Sequence, residues 1–196
     1  MTASNSLRRV VDPILWFLGL LIVWQVAVRA FAVPVFVLPA PTDFLASLVA
    51  ERARLLHHGL ITTRLILIGF VAGAVPGIVL AYLIAKFRLA EQVLYPMVVF
   101  IQGLPKVTLA PLMLVWFGFS DTPKVLLTSL ITFFPVLVDS VTGFKSIDRR
   151  QYYLSRSVGA SWWQTFRLFE LPTAAPFIFS GLEITIVVSV TVVIVV

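Results

Sequence analysis

The stretch "SRSVGASWWQTFRLFELP", Ser155 to Pro172, lies between two long apolar runs. It holds two arginines, a glutamate, a glycine and two adjacent tryptophans. Gly159 interrupts any helix arriving through 150–158. Ser161-Trp162-Trp163-Gln164 has the S-x-x-Q form of a capping box, in which serine and glutamine side chains satisfy the free N–H groups of a helix start. The pattern predicts a new helix from Trp162, ended after Leu171 by Pro172. On that helix Trp162, Phe166 and Phe169 share one face, while Gln164 and Arg167 lie elsewhere. Two short helices meeting at a glycine elbow result. The residues alone leave two uses open: an interfacial helix with a tryptophan belt, or a segment received in a groove of a partner protein.

The rest of the chain decides the class. Of its 196 residues 60% are hydrophobic and 12% charged, and mean hydropathy is +1.02. Soluble domains carry about 25% charged residues, so this chain has too little charge to cover a soluble surface. It reads as an all-α polytopic membrane protein with five spans at about 20 residues each. The absence of cysteine excludes disulfides, thiol nucleophiles and Cys metal sites. A net charge of +6 fits cytoplasmic loops of a membrane protein better than a nucleic-acid surface.

Span one is predicted over 14–33. Arg8-Arg9 and Ala30-Phe31-Ala32 imitate a secretory signal, but the run exceeds the roughly 7–15 residues of a signal core and Arg29 precedes the cleavage-like site. Pro34, Pro39 and Pro41 then forbid a continuous helix. A short amphipathic helix is predicted next, capped by Thr42 or Asp43, with Phe44, Leu48 and Leu55 on one side. Span two covers 60–85. The third apolar stretch, 94–119, is broken by Pro96, Pro105 and Pro111. Span four is 125–141, and a last apolar run from Thr173 reaches the final residue, as in a chain ending inside its fifth span. Lys and Arg placement gives nine on the N-terminal side (Arg8, Arg9, Lys86, Arg88, Lys145, Arg149, Arg150, Arg156, Arg167) against five on the other. The N-terminus and the Ser155–Pro172 stretch are therefore expected in the cytoplasm.

Gly69, Gly73, Gly77, Ala81 and Ala85 recur every four residues in span two, a small-residue stripe for close helix packing within this chain or with another. Gln102, Lys106 and Thr108 cluster at the broken third span. Irregular backbone at membrane depth lines cavities or is buried in protein, and an intramembrane lysine marks a candidate solute path. The plain alternative is a snorkelling lysine on a kinked structural helix. Asp139 and Glu183 are expected to pair with basic groups on neighbouring spans. His57 and His58 are adjacent, point about 100° apart on a helix and cannot chelate as an i, i+4 pair, so no metal site is expected. Neither histidine falls in a predicted span, and nucleotide-binding and hydrolase motifs are missing.

"SVGASWWQTFRLFELPTAAP" resembles the cytoplasmic loop of ABC importer permeases, E-A-A-x-x-x-G followed by L-P. Gly159, Ala160, Ser161, Leu171 and Pro172 match. "LPKVTLAPLMLVWFGFSDTPK", "FFPVLVDSVTGFKSID" and "VLPAPTDF" are similar to the nitrate/sulfonate/taurine branch. The resemblance implies a type I importer permease fold of six spans, about five present here, in a single transmembrane domain over 1–196. It implies a second permease copy, two cytoplasmic ATPases, an extracytoplasmic solute-binding protein and a bacterial inner membrane. The loop over about 143–171 would be the coupling helix seated on an ATPase. ATP-Mg would be used there, with no cofactor on this chain. Tyr153, Leu154 and Ser155, followed by Arg156, stand where the family has Glu-Ala-Ala. The implied function is import of a small, anionic solute such as a sulfonate, taurine or nitrate. The rivals from other classes are an ATP-independent channel or scaffold, and an intramembrane enzyme, whose paired acids or Ser-His dyad the spans lack.

Overall fold

The computed structural model describes residues 3–195, and among these every regular element is helical. Val196, the end of the apolar run, lies outside the described residues, as do the side chains of Arg8 and Arg149 that enter the charge balance. The chain forms two compact units, Met1–Gly59 and Leu60–Val196.

The first unit contains α1 (Ala3–Ala30) and α2 (Pro41–Ala50). The apolar segment Val11–Ala30 of α1 is long enough to cross a membrane, ending three residues short of the predicted limit. The cap of α2 differs from expectation. Ala40 occupies the N-cap position with Pro41 as the first helical residue, and no side chain of the cap itself bonds. Instead Gln25 of α1 supplies the acceptor: its Oε1 takes the Thr42 N–H at 3.2 Å, and its Nε2 donates to Thr42 Oγ1 at 3.1 Å. Asp43 pairs with Arg29 at 2.6 Å. Pro41 at the first helical position has no N–H and so needs no acceptor, which leaves the Thr42 N–H to be satisfied by a distant side chain. Leu55 does not belong to this helix, because α2 stops at Ala50 and α3 (Arg52–Lys86) begins two residues later.

Helix α3 starts well before the predicted span and runs through Pro76 without interruption, so His57 and His58 lie inside a helix of membrane-spanning length after all. In the second unit it is followed by α4 (Arg88–Gln102), a 3₁₀ turn at Lys106–Leu109, α5 (Ala110–Phe117) and α6 (Asp121–Lys145). Then come α7 (Arg149–Ser157), α8 (Trp162–Thr165) and α9 (Leu171–Val195). The pair α4 and α5, bent by 77° at the break, makes one broken span or a re-entrant loop. Four unbroken helical segments, the last running Trp162–Ile194, have spanning length among the described residues.

Helix α6 is the centre of this unit. On one side, a Cβ added at Gly69 would sit 2.6 Å from Thr128 Cβ, and one at Gly73 would collide with the Ser129 carbonyl. At Gly77 the Phe133 carbonyl lies 3.0 Å away. The small-residue stripe of α3 therefore faces α6 of the same chain, with Ala81 fully buried and Ala85 packed at the core's edge. On the other side α9 approaches as closely: a Cβ at Gly143 would lie 2.8 Å from Phe177 Cβ, and one at Gly181 3.1 Å from Val136 Cα. A buried hydrogen bond, Thr132 Oγ1 to Ser189 Oγ at 3.1 Å, crosses the same interface. Small residues bring backbones together where apolar burial alone gives no preference among helix faces in lipid.

Candidate functional site

The segment α7–elbow–α8 is built by local chemistry. Asp148 caps α7 by accepting the Arg150 N–H at 2.9 Å. The helix closes with Gly159 N–H to the Arg156 carbonyl (3.1 Å) and Ala160 N–H to the Ser155 carbonyl (2.9 Å). Gly159 takes φ +66°, the left-handed conformation that glycine adopts without strain. The capping box is present in both directions: Ser161 Oγ accepts the Gln164 N–H (3.3 Å) and Gln164 Oε1 accepts the Ser161 N–H (2.7 Å).

Beyond Thr165 the backbone departs from the expected path. Pro172 does not terminate a short helix. Residues Phe166–Glu170 form a π turn in which the Leu171 N–H bonds back to the Phe166 carbonyl, and α9 resumes directly. Pro172 thereby falls in the first turn of α9, where a missing N–H is tolerated. Helix α8 is the head of the last spanning helix, and only α7 is a separate short helix.

The two ends of the loop differ in exposure. Tyr153 (70% exposed), Leu154 (54%) and Val158 (68%) present apolar surface outward, with Arg156 exposed beside them. Ser155 is buried, its Oγ donating to the Tyr152 carbonyl at 2.9 Å, and Ala160 is half-buried. Small side chains fit this inward position, whereas the two positions before it can carry bulk. Leu171 and Pro172 lie exposed at the start of α9.

Beneath the segment sits a cluster that sequence reasoning does not single out. Trp162 stacks on Phe166 (6.0 Å, 14°) and donates its indole N–H to Tyr82 Oη at 3.0 Å. The Tyr82 ring meets Phe144 and Phe166 edge-on at 5.2 and 5.1 Å. Lys86 Nζ pairs with Glu170 Oε1 at 2.9 Å and lies 5.7 Å from the rings of both Tyr82 and Tyr152. Burial, reinforced by the Glu170 carboxylate, pushes the Tyr152 phenol up to about 12. A second pair at the ends of other helices, Lys145 with Glu91, joins α6 to α4. The signal that could have found the cluster is periodic: Glu170 stands four residues before Ala174, in line with the buried stripe of α9, and Lys86 stands four after Tyr82.

At the broken span, Lys106 Nζ donates to the carbonyls of Gln102 (2.8 Å) and Leu104 (3.4 Å) and lies 4.8 Å from the centre of the Phe134 ring. It thus caps the free carbonyls at the end of α4, as a basic side chain does at a helix C-terminus. Thr108 Oγ1 donates to the Pro105 carbonyl at 2.6 Å. Lys106 and Thr108 line a cavity of ≈ 300 Å³ with Leu130 and Phe134. Gln102 and Lys106 line a second, of ≈ 250 Å³, with Ile184 and Thr185. The three residues share the break, but the lysine charge is already engaged by backbone.

Neither Asp139 nor Glu183 makes an ion pair among the described residues, contrary to expectation. Asp139 is half-buried against Gly181, and Glu183 is exposed on α9. The close approach of α6 and α9 at Gly181 leaves no room there for a basic side chain. His57 and His58 contact only each other's rings edge-on, 5.5 Å apart, among the aromatic contacts described.

Residues 73–196 match the family model for binding-protein-dependent transport system inner membrane components. The chain is 32% identical over 176 residues to the formylaminopyrimidine transport permease protein of Halalkalibacterium halodurans, covering 89% of this chain and 70% of that protein. It is 36% identical over 171 residues to the riboflavin transport system permease protein of Chloroflexus aurantiacus, covering 84% and 62%. With the taurine transport system permease protein of Escherichia coli it shares 30% over 168 residues, 82% and 61% of the two chains. This chain thus spans roughly three fifths to seven tenths of the length of these relatives. With the apolar helices α3 and α9 packed against α6, the chain belongs to the binding-protein-dependent inner membrane components of ABC transporters, multi-pass transport subunits of the type I importer fold and not enzymes.

Proposed function

We propose that this chain is the permease subunit of an ATP-driven importer, paired with a second copy of itself, two cytoplasmic ATPases and an extracytoplasmic binding protein. Its N-terminus and the α7–elbow–α8 segment face the cytoplasm. The observation that carries this reading is the segment itself: a capped helix, a left-handed glycine and a boxed helix start, with Tyr153, Leu154 and Val158 turned outward. Such apolar surface on a rigid short helix suits a groove in a partner. Nothing lies within 4 Å of a Cβ added at Gly159, so a substitution there acts through the backbone alone. Gly159→Val should preserve membrane insertion and lose ATPase co-purification, and Gly159→Asn, which tolerates the left-handed region better, should retain most of it. Equal co-purification by both variants would remove the coupling role.

For the solute, a small anion (a sulfonate, taurine or nitrate) is the first reading, with Gln102, Lys106 and Thr108 on the path. A second is a small nitrogen heterocycle. It is favoured by the engagement of Lys106 with carbonyls and by the largely apolar lining of both cavities. The names of two relatives point the same way. Competition of uptake by taurine against a formylaminopyrimidine in the assembled transporter separates the two.

A further inference from the structure

At the head of the last span, a carboxylate stands where the helix periodicity asks for an apolar side chain. Ala174, Ile178, Gly181, Thr185 and Ser189 form the buried stripe of α9, and Glu170 precedes them in the same line at 1% exposure. One carboxylate oxygen takes Lys86 Nζ; the other, Oε2, is buried without a hydrogen-bond partner among the described residues. A well-packed apolar side chain would stabilise such a position at least as well, so stability does not account for the pair.

What the pair does is join elements. Lys86 is the last residue of α3, and Glu170 ends the π turn between α8 and α9. Tyr152 of α7 packs over the lysine. Among the described residues, the remaining contacts here between segment and bundle are one hydrogen bond between neutral groups, Trp162 Nε1 to Tyr82 Oη, and the edge-on meeting of the Tyr82 ring with Trp162 and Phe166. The ion pair is the one charged link among them. An ion pair whose carboxylate is buried holds a short, defined geometry. The π turn adds a backbone register in which the helix can shift, and such turns recur at functional sites.

We propose that Lys86–Glu170 is the pin that fixes the α7–elbow–α8 segment to the end of α3, so that displacement of the segment carries α3 and α9 together. The proposal rests on the coupling role given above. Lys86 and Glu170 are positioning residues: neither touches solute or nucleotide.

The chain lacks cysteine, so Leu83→Cys and Tyr153→Cys give a spin-label pair across α3 and α7 on exposed sites. In the permease in lipid nanodiscs, the distance distribution should be narrow. Glu170→Gln and Lys86→Met should broaden it, and the exchange Lys86→Glu with Glu170→Lys should narrow it again. An unchanged distribution in Glu170→Gln overturns the pin. In liposomes carrying the whole transporter, Glu170→Gln should keep ATPase co-purification and hydrolysis while uptake per ATP falls about tenfold, with recovery in the exchange variant. An unchanged ratio, or loss of co-purification in Glu170→Gln, overturns it as well. The label measurement needs no ATPase, so failure of the coupling role appears only in the second arm.

Discussion

Lys86 and Glu170, 84 residues apart in sequence, meet at 2.9 Å with the lysine side chain 37% exposed and the glutamate 1%. The unequal burial makes the pair asymmetric. Lys86→Met strands a buried carboxylate and should cost about 3 kcal/mol of stability. Glu170→Gln keeps the shape and leaves a lysine that still reaches water, and should cost about 1 kcal/mol. Thermal unfolding of the two variants in detergent measures the difference, and equal losses would contradict it.

Gly73 and Gly59 lie on the same helix and offer a test of packing against propensity. A Cβ at Gly73 would meet the Ser129 carbonyl, backbone that cannot rotate away, and Thr132 Cβ at 2.9 Å. At Gly59 there is nothing within 4 Å. Gly73→Ala should therefore destabilise the protein by about 2 kcal/mol through overpacking. Gly59→Ala should stabilise it by up to about 1 kcal/mol through helix propensity alone. Opposite shifts of the unfolding midpoint check this, and a neutral Gly73→Ala would place α3 farther from α6.

The features legible in the sequence are those whose partners are close along the chain. The capping box needs only Ser161 and Gln164, the elbow only Gly159, and the small-residue stripe only its own spacing. Sequence and structure part where the partner is remote or the helix geometry changes. Thr42 and Asp43 look like caps because nothing local shows that Gln25 reaches Thr42 from α1. Pro172 looks like a terminator because a π turn leaves no periodic mark before it. Glu170 passes as one more loop charge, since its partner is the last residue of another span. Lys106 resembles a free intramembrane charge, although Gln102, four residues earlier, supplies the carbonyl that holds it.

Tyr152, half-buried on α7, extends the same cluster to alkaline pH. Its phenol ionises near 10 in an unfolded chain, and burial with the Glu170 carboxylate nearby raises it to about 12 in the fold. Between these values the unfolded state releases a proton that the folded state keeps. The contribution is thus fully present below pH 10 and is lost as pH rises through about 12. Tyr152→Phe retains the ring against Lys86 and has no proton to lose. Unfolding midpoints of the parent should therefore fall more steeply than those of Tyr152→Phe between pH 10 and 12. Parallel curves would show that the phenol is not held in its neutral form by this cluster.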